Sequence, residues 1–143
     1  PQFDNYCELD PEVVDEWGIP VLRFNYQWTD YEIDQAKHMQ DSMEALLEAS
    51  GGILLGEKPG ANRKYGLAKP GEIIHEVGTT RMGQDPKTSV TNQFGQLHDA
   101  SNVFVVDAGT FVSQADKNPT WTILALSWRA SDYIIEQMKQ QNI

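Results

Sequence analysis

Val103-Phe104-Val105-Val106-Asp107-Ala108-Gly109 is the stretch on which the reading of this fold turns. Four apolar residues in succession leave no polar face, as expected of a strand buried on both sides. Asp107 ends the run, and Ala108 and Gly109 are small enough for backbone to approach another group closely. In an open α/β sheet, ligands gather beyond the carboxyl ends of the strands, so Asp107 and Ala108 become candidate binding residues. Of equal weight is a structural role, in which Asp107 caps the turn after the strand.

Downstream, Asn118-Pro119-Thr120 reads as the start of a helix. Asparagine is a preferred N-cap, and proline suits the first helical position because its missing N–H would be unpaired there anyway. The helix is predicted over about Thr120 to Gln140. Its first half (Trp121, Ile123, Leu124, Ala125, Leu126, Trp128) is apolar nearly all round and its second half is polar. That pattern predicts a start buried in protein and an end reaching solvent.

Upstream, His75-Glu-Val-Gly78-Thr79-Thr80-Arg81-Met82-Gly83 sets one histidine beside small and hydroxyl residues. An imidazole titrating near neutrality can serve as a general base. It can equally be a core histidine satisfied by backbone. Arg81 is expected in a structural salt bridge or, less simply, holding an anionic substrate, and His38, His98 and Asp99 at the surface. No ligand pair has metal-site spacing, and no Gly-x-Ser-x-Gly elbow is present.

Farther toward the N-terminus, Pro20 to Trp28 alternates, with Leu22, Phe24, Tyr26 and Trp28 on one side, which predicts a strand with one packed face. Thr29 followed by Glu32 is a capping-box pattern. Ile33, Ala36, Met39, Met43, Leu46 and Leu47 then recur at helical spacing until Gly51-Gly52 stops the helix. Gly56 to Gly71 reads as a loop or short irregular strand, and Gln84 to Ser89 as turn chemistry.

The chain has 143 residues and a formal charge of −10. Residues 1–50 hold twelve acids and two bases, whereas residues 51–143 hold nine of each. Such a surface repels nucleic-acid phosphates and anionic membranes, so neither is an expected partner. The acidic half reads as a solvated face or, less simply, as a docking surface for a basic partner. Cys7 is the only cysteine, which excludes an intrachain disulfide and a cysteine zinc site. It fits a reducing cytoplasm without excluding the periplasm. No apolar run reaches the roughly eighteen residues of a membrane span.

Three of these segments together resemble the glucose–methanol–choline (GMC) family of flavin oxidoreductases. They are His75-x-x-Gly78-Thr79, Val103-Phe-Val-Val-Asp107-Ala-Gly109 and Asn118-Pro-Thr120, in that order. The match is most specific from about Glu72 to Tyr133 and is closest in look to the sugar-oxidising branches, the pyranose oxidases and the gluconate or glucoside dehydrogenases. The implied fold is α+β. Residues 1–95 would form part of an antiparallel-sheet substrate domain, and residues 96–143 would return into the FAD-binding α/β domain as its C-terminal strand and helix.

The resemblance implies FAD as cofactor and a sugar or polyol as substrate, oxidised at an alcohol group. His75 matches the family's catalytic histidine and Asn118 the position of its second histidine or asparagine. The cofactor side would be met by Asp107, Ala108, Asn118, Pro119 and Thr120. An amide takes up no proton at neutral pH, so Asn118 would hydrogen-bond the substrate oxygen. Because the chain starts at Pro1 and lacks a Gly-x-Gly-x-x-Gly fingerprint, it is expected to be a piece of something larger. The missing N-terminal FAD-binding part, or a complementary chain, would be its partner, with an electron-acceptor subunit as a further one. The alternative is a non-catalytic binding module or partner subunit that keeps the family's shape.

Overall fold

The structure, a computed structural model, describes residues 2–114 and 116–143. Pro1, which bears on the expectation that the chain is a piece of something larger, lies outside them. The fold is a small α+β arrangement in two compact units. One is the chain up to Phe24 together with Ile74–Ile143, and the other is Asn25–Ile73.

In the first unit, strands β1 (Tyr6–Val14) and β2 (Pro20–Asn25) form a two-stranded antiparallel sheet. The Asp15 carboxylate closes the turn by accepting from the N–H groups of Trp17 and Ile19, each at 2.9 Å, and Gly18 supplies the left-handed φ of +81°. Arg23 donates across the pair to Glu8 at 2.5 Å. β1 is not evident in the sequence because Pro11 interrupts it, and proline in a sheet is confined to edge positions. β2 is where alternation predicts it, but Leu22 and Phe24 are exposed. The face is apolar without being packed.

The rest of this unit is laced by backbone. Gly78, Thr80 and Met82 donate N–H to the carbonyls of Ala108, Gly109 and Thr110 at 3.2, 3.0 and 3.0 Å. Val105 donates to Gly95 at 2.8 Å and Leu97 to Val103 at 3.0 Å. The predicted doubly buried strand over 103–106 is therefore corrected. Among the described residues it has one bridge, Phe104 opposite Gln96, and Val103 and Val106 are exposed. Pairing with 95–97 engages a backbone edge and leaves the side-chain faces to be covered by other elements.

Helix α2 (Thr120–Lys139) matches the predicted span to within one residue. Ser127 Oγ ties it to the Val106 carbonyl at 2.7 Å, and Tyr133 stacks on Phe94 with ring centroids 4.0 Å apart. Thr91, Thr110, Phe111 and Ala130 are buried. The predicted burial of the helix start is not observed: Trp121 is 84 % exposed.

The second unit is helix α1 (Asp30–Ala49) with the loop that follows it. Thr29 and Glu32 form the expected capping box, with Thr29 N–H donating to Glu32 Oε2 at 2.8 Å. At the other end, Gly51 and Gly52 donate to the Glu48 and Leu47 carbonyls, both at 2.9 Å, with Gly51 at φ +79°. This is a Schellman closure. Gln40 donates to the Tyr65 carbonyl, and Lys58 is bound by Asp41 at 2.9 Å and Glu44 at 2.5 Å. The predicted stripe is split: Ala36 is buried, while Met39, Met43 and Leu46 are exposed.

Candidate active site

Gly78, with φ +88°, takes a backbone shape that side chains resist, and a Cβ there would lie 3.2 Å from the Phe111 carbonyl. Gly109 is more constrained. A Cβ on it would lie 2.5 Å from Thr80 Oγ1, 2.8 Å from Asp107 Oδ1 and 3.0 Å from Thr79 Oγ1. The sequence thus places glycine where the chain's own oxygens crowd a bare α-carbon. These contacts draw the Gly78–Thr80 and Asp107–Gly109 motifs into one cluster.

Asp107 Oδ1 accepts from Gly109 N–H at 2.7 Å, the turn-capping role foreseen as one of its two readings. Thr110 Oγ1 donates to the Asp107 carbonyl at 3.1 Å, and Thr91 Oγ1 to the Thr80 carbonyl at 3.0 Å. Among the described residues Thr80 Oγ1 is buried without a hydrogen-bond partner. A buried hydroxyl left unpaired costs about 1–3 kcal/mol, so this atom marks a point where the cluster is incomplete in itself. Sequence reading assigned Thr80 and Thr91 no role. A single buried hydroxyl-to-carbonyl bond leaves no periodic trace to find.

His75 is exposed, three residues ahead of Gly78, and Asn118 is exposed immediately before the buried Pro119. Both belong to the same compact unit. Among the described residues no hydrogen bond or ion pair joins them. What is brought together is the backbone just after His75 and the turn after Asp107, through the bonds between 78–82 and 108–110. The expected capping by Asn118 is corrected: Pro119 is the cap residue of α2, in helical conformation (φ −79°, ψ −14°), with no side-chain hydrogen bond. Helical dihedrals are what proline supplies at a helix start, and among the described residues Asn118 makes no side-chain hydrogen bond that would cap it.

The first turn of α2 carries no acidic residue and no side-chain cap. Its N–H groups therefore leave an uncompensated partial charge of roughly +0.5 at the helix start, beside Thr120 and Asn118.

Two neighbouring expectations are revised. Arg81 forms no salt bridge among the described residues. Its guanidinium donates to the Thr88 carbonyl, pinning the turn over 84–89. His98 is half-buried, with Nε2 at 3.0 Å from Ser89 Oγ. Ser89 Oγ donates its proton to the Asp85 carbonyl at 2.6 Å, so His98 Nε2 is the donor to Ser89. His38 and Asp99 are exposed. Among the described residues, no helix is long and apolar enough to cross a membrane.

The GMC oxidoreductase family model matches residues 1–127. The chain is 35 % identical over 134 residues to the 2-methyl-1,2-propanediol dehydrogenase of Mycolicibacterium austroafricanum, covering 94 % of this chain and 23 % of that protein. It is 34 % identical over 134 residues to the gluconate 2-dehydrogenase flavoprotein of Pantoea cypripedii, covering 93 % and 22 %. It is 28 % identical over 126 residues to the pyranose 2-oxidase of Tricholoma matsutake, covering 88 % and 21 %. The chain spans less than a quarter of the length of these curated relatives.

Proposed function

This chain belongs to the GMC oxidoreductase family, and on that premise we propose that it forms the C-terminal part of an FAD-dependent enzyme oxidising an alcohol group of a sugar or polyol. Residues 1–95 contribute to the substrate-binding domain and residues 96–143 return into the FAD-binding domain. The observation that supports this reading is the lacing of residues 78–82, just after His75, to the Ala108–Thr110 turn.

Oxidation of a secondary or primary alcohol removes the hydroxyl proton and a hydride from the same carbon. FAD held by Asp107, Ala108, Asn118, Pro119 and Thr120 would supply the hydride acceptor, chemistry no side chain offers. His75 takes the hydroxyl proton on an imidazole nitrogen, becoming imidazolium as the carbonyl forms. Asn118 donates from its amide to the substrate oxygen and holds it toward His75. Exposure of both side chains within this chain leaves them free to meet a substrate.

Residues on the cofactor side fit a flavin. Ala108 and Gly109 form a turn whose conformation is fixed internally by Asp107, so its backbone is preorganised before any ligand binds. The uncapped start of α2, at Asn118, Pro119 and Thr120, favours an electron-rich edge. The unpaired Thr80 hydroxyl supports a cluster completed by another component. A further subunit as partner is supported by one relative, the large subunit of fructose dehydrogenase from Gluconobacter japonicus, 30 % identical over 140 residues, and we propose that such a subunit would take the electrons.

The test is the colour of the polypeptide that carries this chain, purified and made anaerobic with sugars and polyols. Flavin absorbance that bleaches on adding one of them is the expected result. A colourless protein that binds no flavin on reconstitution would overturn the proposal.

A further inference from the structure

Gly109, in the turn that the proposed function sets against the cofactor, is gripped from three sides. Its N–H donates to Asp107 Oδ1 at 2.7 Å, and its carbonyl accepts from the Thr80 N–H at 3.0 Å. Beside its bare α-carbon stand the Thr79 and Thr80 hydroxyls and the same Asp107 carboxylate, all within 3.0 Å of the point where a side chain on it would begin. A carboxylate and two hydroxyls converge on one small region, and glycine is the residue that leaves them room.

These oxygens are unequally employed. Asp107 Oδ1 accepts from Gly109, and the Thr80 carbonyl accepts from Thr91 Oγ1 at 3.0 Å. The Thr80 hydroxyl is buried with no hydrogen-bond partner among the described residues. A valine would fill the same volume with no polar group to satisfy, so for this chain taken by itself the hydroxyl is a cost. Local rules of this kind are broken where function imposes a competing demand.

Asp107 supplies that demand. It carries the only full charge in the cluster and is exposed, so a ligand at the turn meets its carboxylate. The uncapped start of α2 favours an electron-rich group, whereas a carboxylate opposes one. A carboxylate has about four lone-pair sites, and Gly109 uses one of them. A second donor on the buried side would draw negative charge inward and hold the carboxylate in its turn-capping position.

We propose that Thr80 is a positioning residue for the cofactor, whose hydroxyl donates to the Asp107 carboxylate when flavin binds and so tempers the charge that the flavin meets. The two oxygens lie within 2.8 Å of one point, so side-chain rotation suffices to join them. This inference rests on the flavin reading given above. It adds that the hydroxyl is unpaired in the flavin-free protein and engaged in the loaded one, and therefore contributes to affinity and potential but not to the stability of the empty fold.

The experiment takes the whole polypeptide that carries this chain, strips its flavin and titrates it with FAD, beside Thr80→Val and Thr80→Ser. Flavin-free Thr80→Val should resist urea at least as well as the parent, because it loses an unpaired group. It should bind FAD at least about tenfold more weakly, about 1.4 kcal/mol in affinity. Its flavin should show a lower two-electron potential, by about 30 mV for each tenfold loss of reduced over oxidised flavin affinity. Thr80→Ser should restore both readouts. Lower urea resistance in flavin-free Thr80→Val would make the hydroxyl merely structural and overturn the inference. Unchanged affinity and potential, or a Thr80→Ser no better than Thr80→Val, would also overturn it while leaving the flavin reading intact. A parent that binds no FAD would overturn that reading and this inference with it.

Discussion

Two regions of one compact unit make opposite use of their apolar residues. Between Gly78 and Phe111 the chain closes on itself: Thr91 is 0 % exposed, Thr110 is 2 % exposed, and backbone bonds lace three segments together. In the first half of α2, by contrast, Trp121, Leu124 and Trp128 stand open to solvent. Exposed apolar patches of this kind mark surfaces meant for other protein or for ligands. The closed region is the part held mainly by bonds within this chain. The open helix is the part whose sequence anticipates a cover.

The largest effect should come from the closed region. Gly95 has φ +74°, and a Cβ there would lie 2.3 Å from the Val105 carbonyl. Gly95→Ala should destabilise by about 3 kcal/mol or more, through backbone strain plus overpacking. Chemical denaturation reads this directly, and a variant as stable as the parent would break the contrast. Thr91→Val comes next. It removes the donor to the Thr80 carbonyl at a fully buried site, with an expected loss of about 1–3 kcal/mol.

Trp121→Gln on the open helix should change unfolding free energy by less than about 0.5 kcal/mol, as for surface positions without special contacts. Light scattering should report less self-association. A destabilisation as large as that of Thr91→Val would show that Trp121 is not an open position.

Smallest of all is the surface network of the second unit. Lys58 holds the Asp41 carboxyl below its usual value of 3.8. A carboxyl with a lowered folded value stabilises above its unfolded value, and loses that contribution as pH falls through the lower one. Lys58→Met should therefore flatten the acid limb of stability below about pH 4, by an amount that salt also suppresses. An acid limb identical in parent and variant would dismiss the pair.

What was legible in the sequence follows the same division. Helix ends were readable because their signals are local: Thr29 with Glu32, Gly51-Gly52, and the span of α2. β1 escaped because Pro11 argues against a strand that only a two-stranded sheet tolerates. The run at 103–106 predicts double burial because hydrophobicity reports what a segment can pack against, not whether the neighbour lies in the same chain. For the same reason Leu22, Phe24, Met39 and Met43 carry apolar patterns without cover. The candidate site was legible as motifs. Its hydroxyl core, Thr80 and Thr91, was not, since those contacts join residues eleven apart through single bonds.

The central claim is that His75 is the base of an alcohol oxidation supported by this laced cluster. Anaerobic flavin reduction by substrate, compared between the flavin-loaded parent and His75→Ala, tests it most directly. The account predicts that the variant keeps its flavin and reduces it about 10²–10⁴-fold more slowly. Full flavin content with an unchanged reduction rate would contradict it.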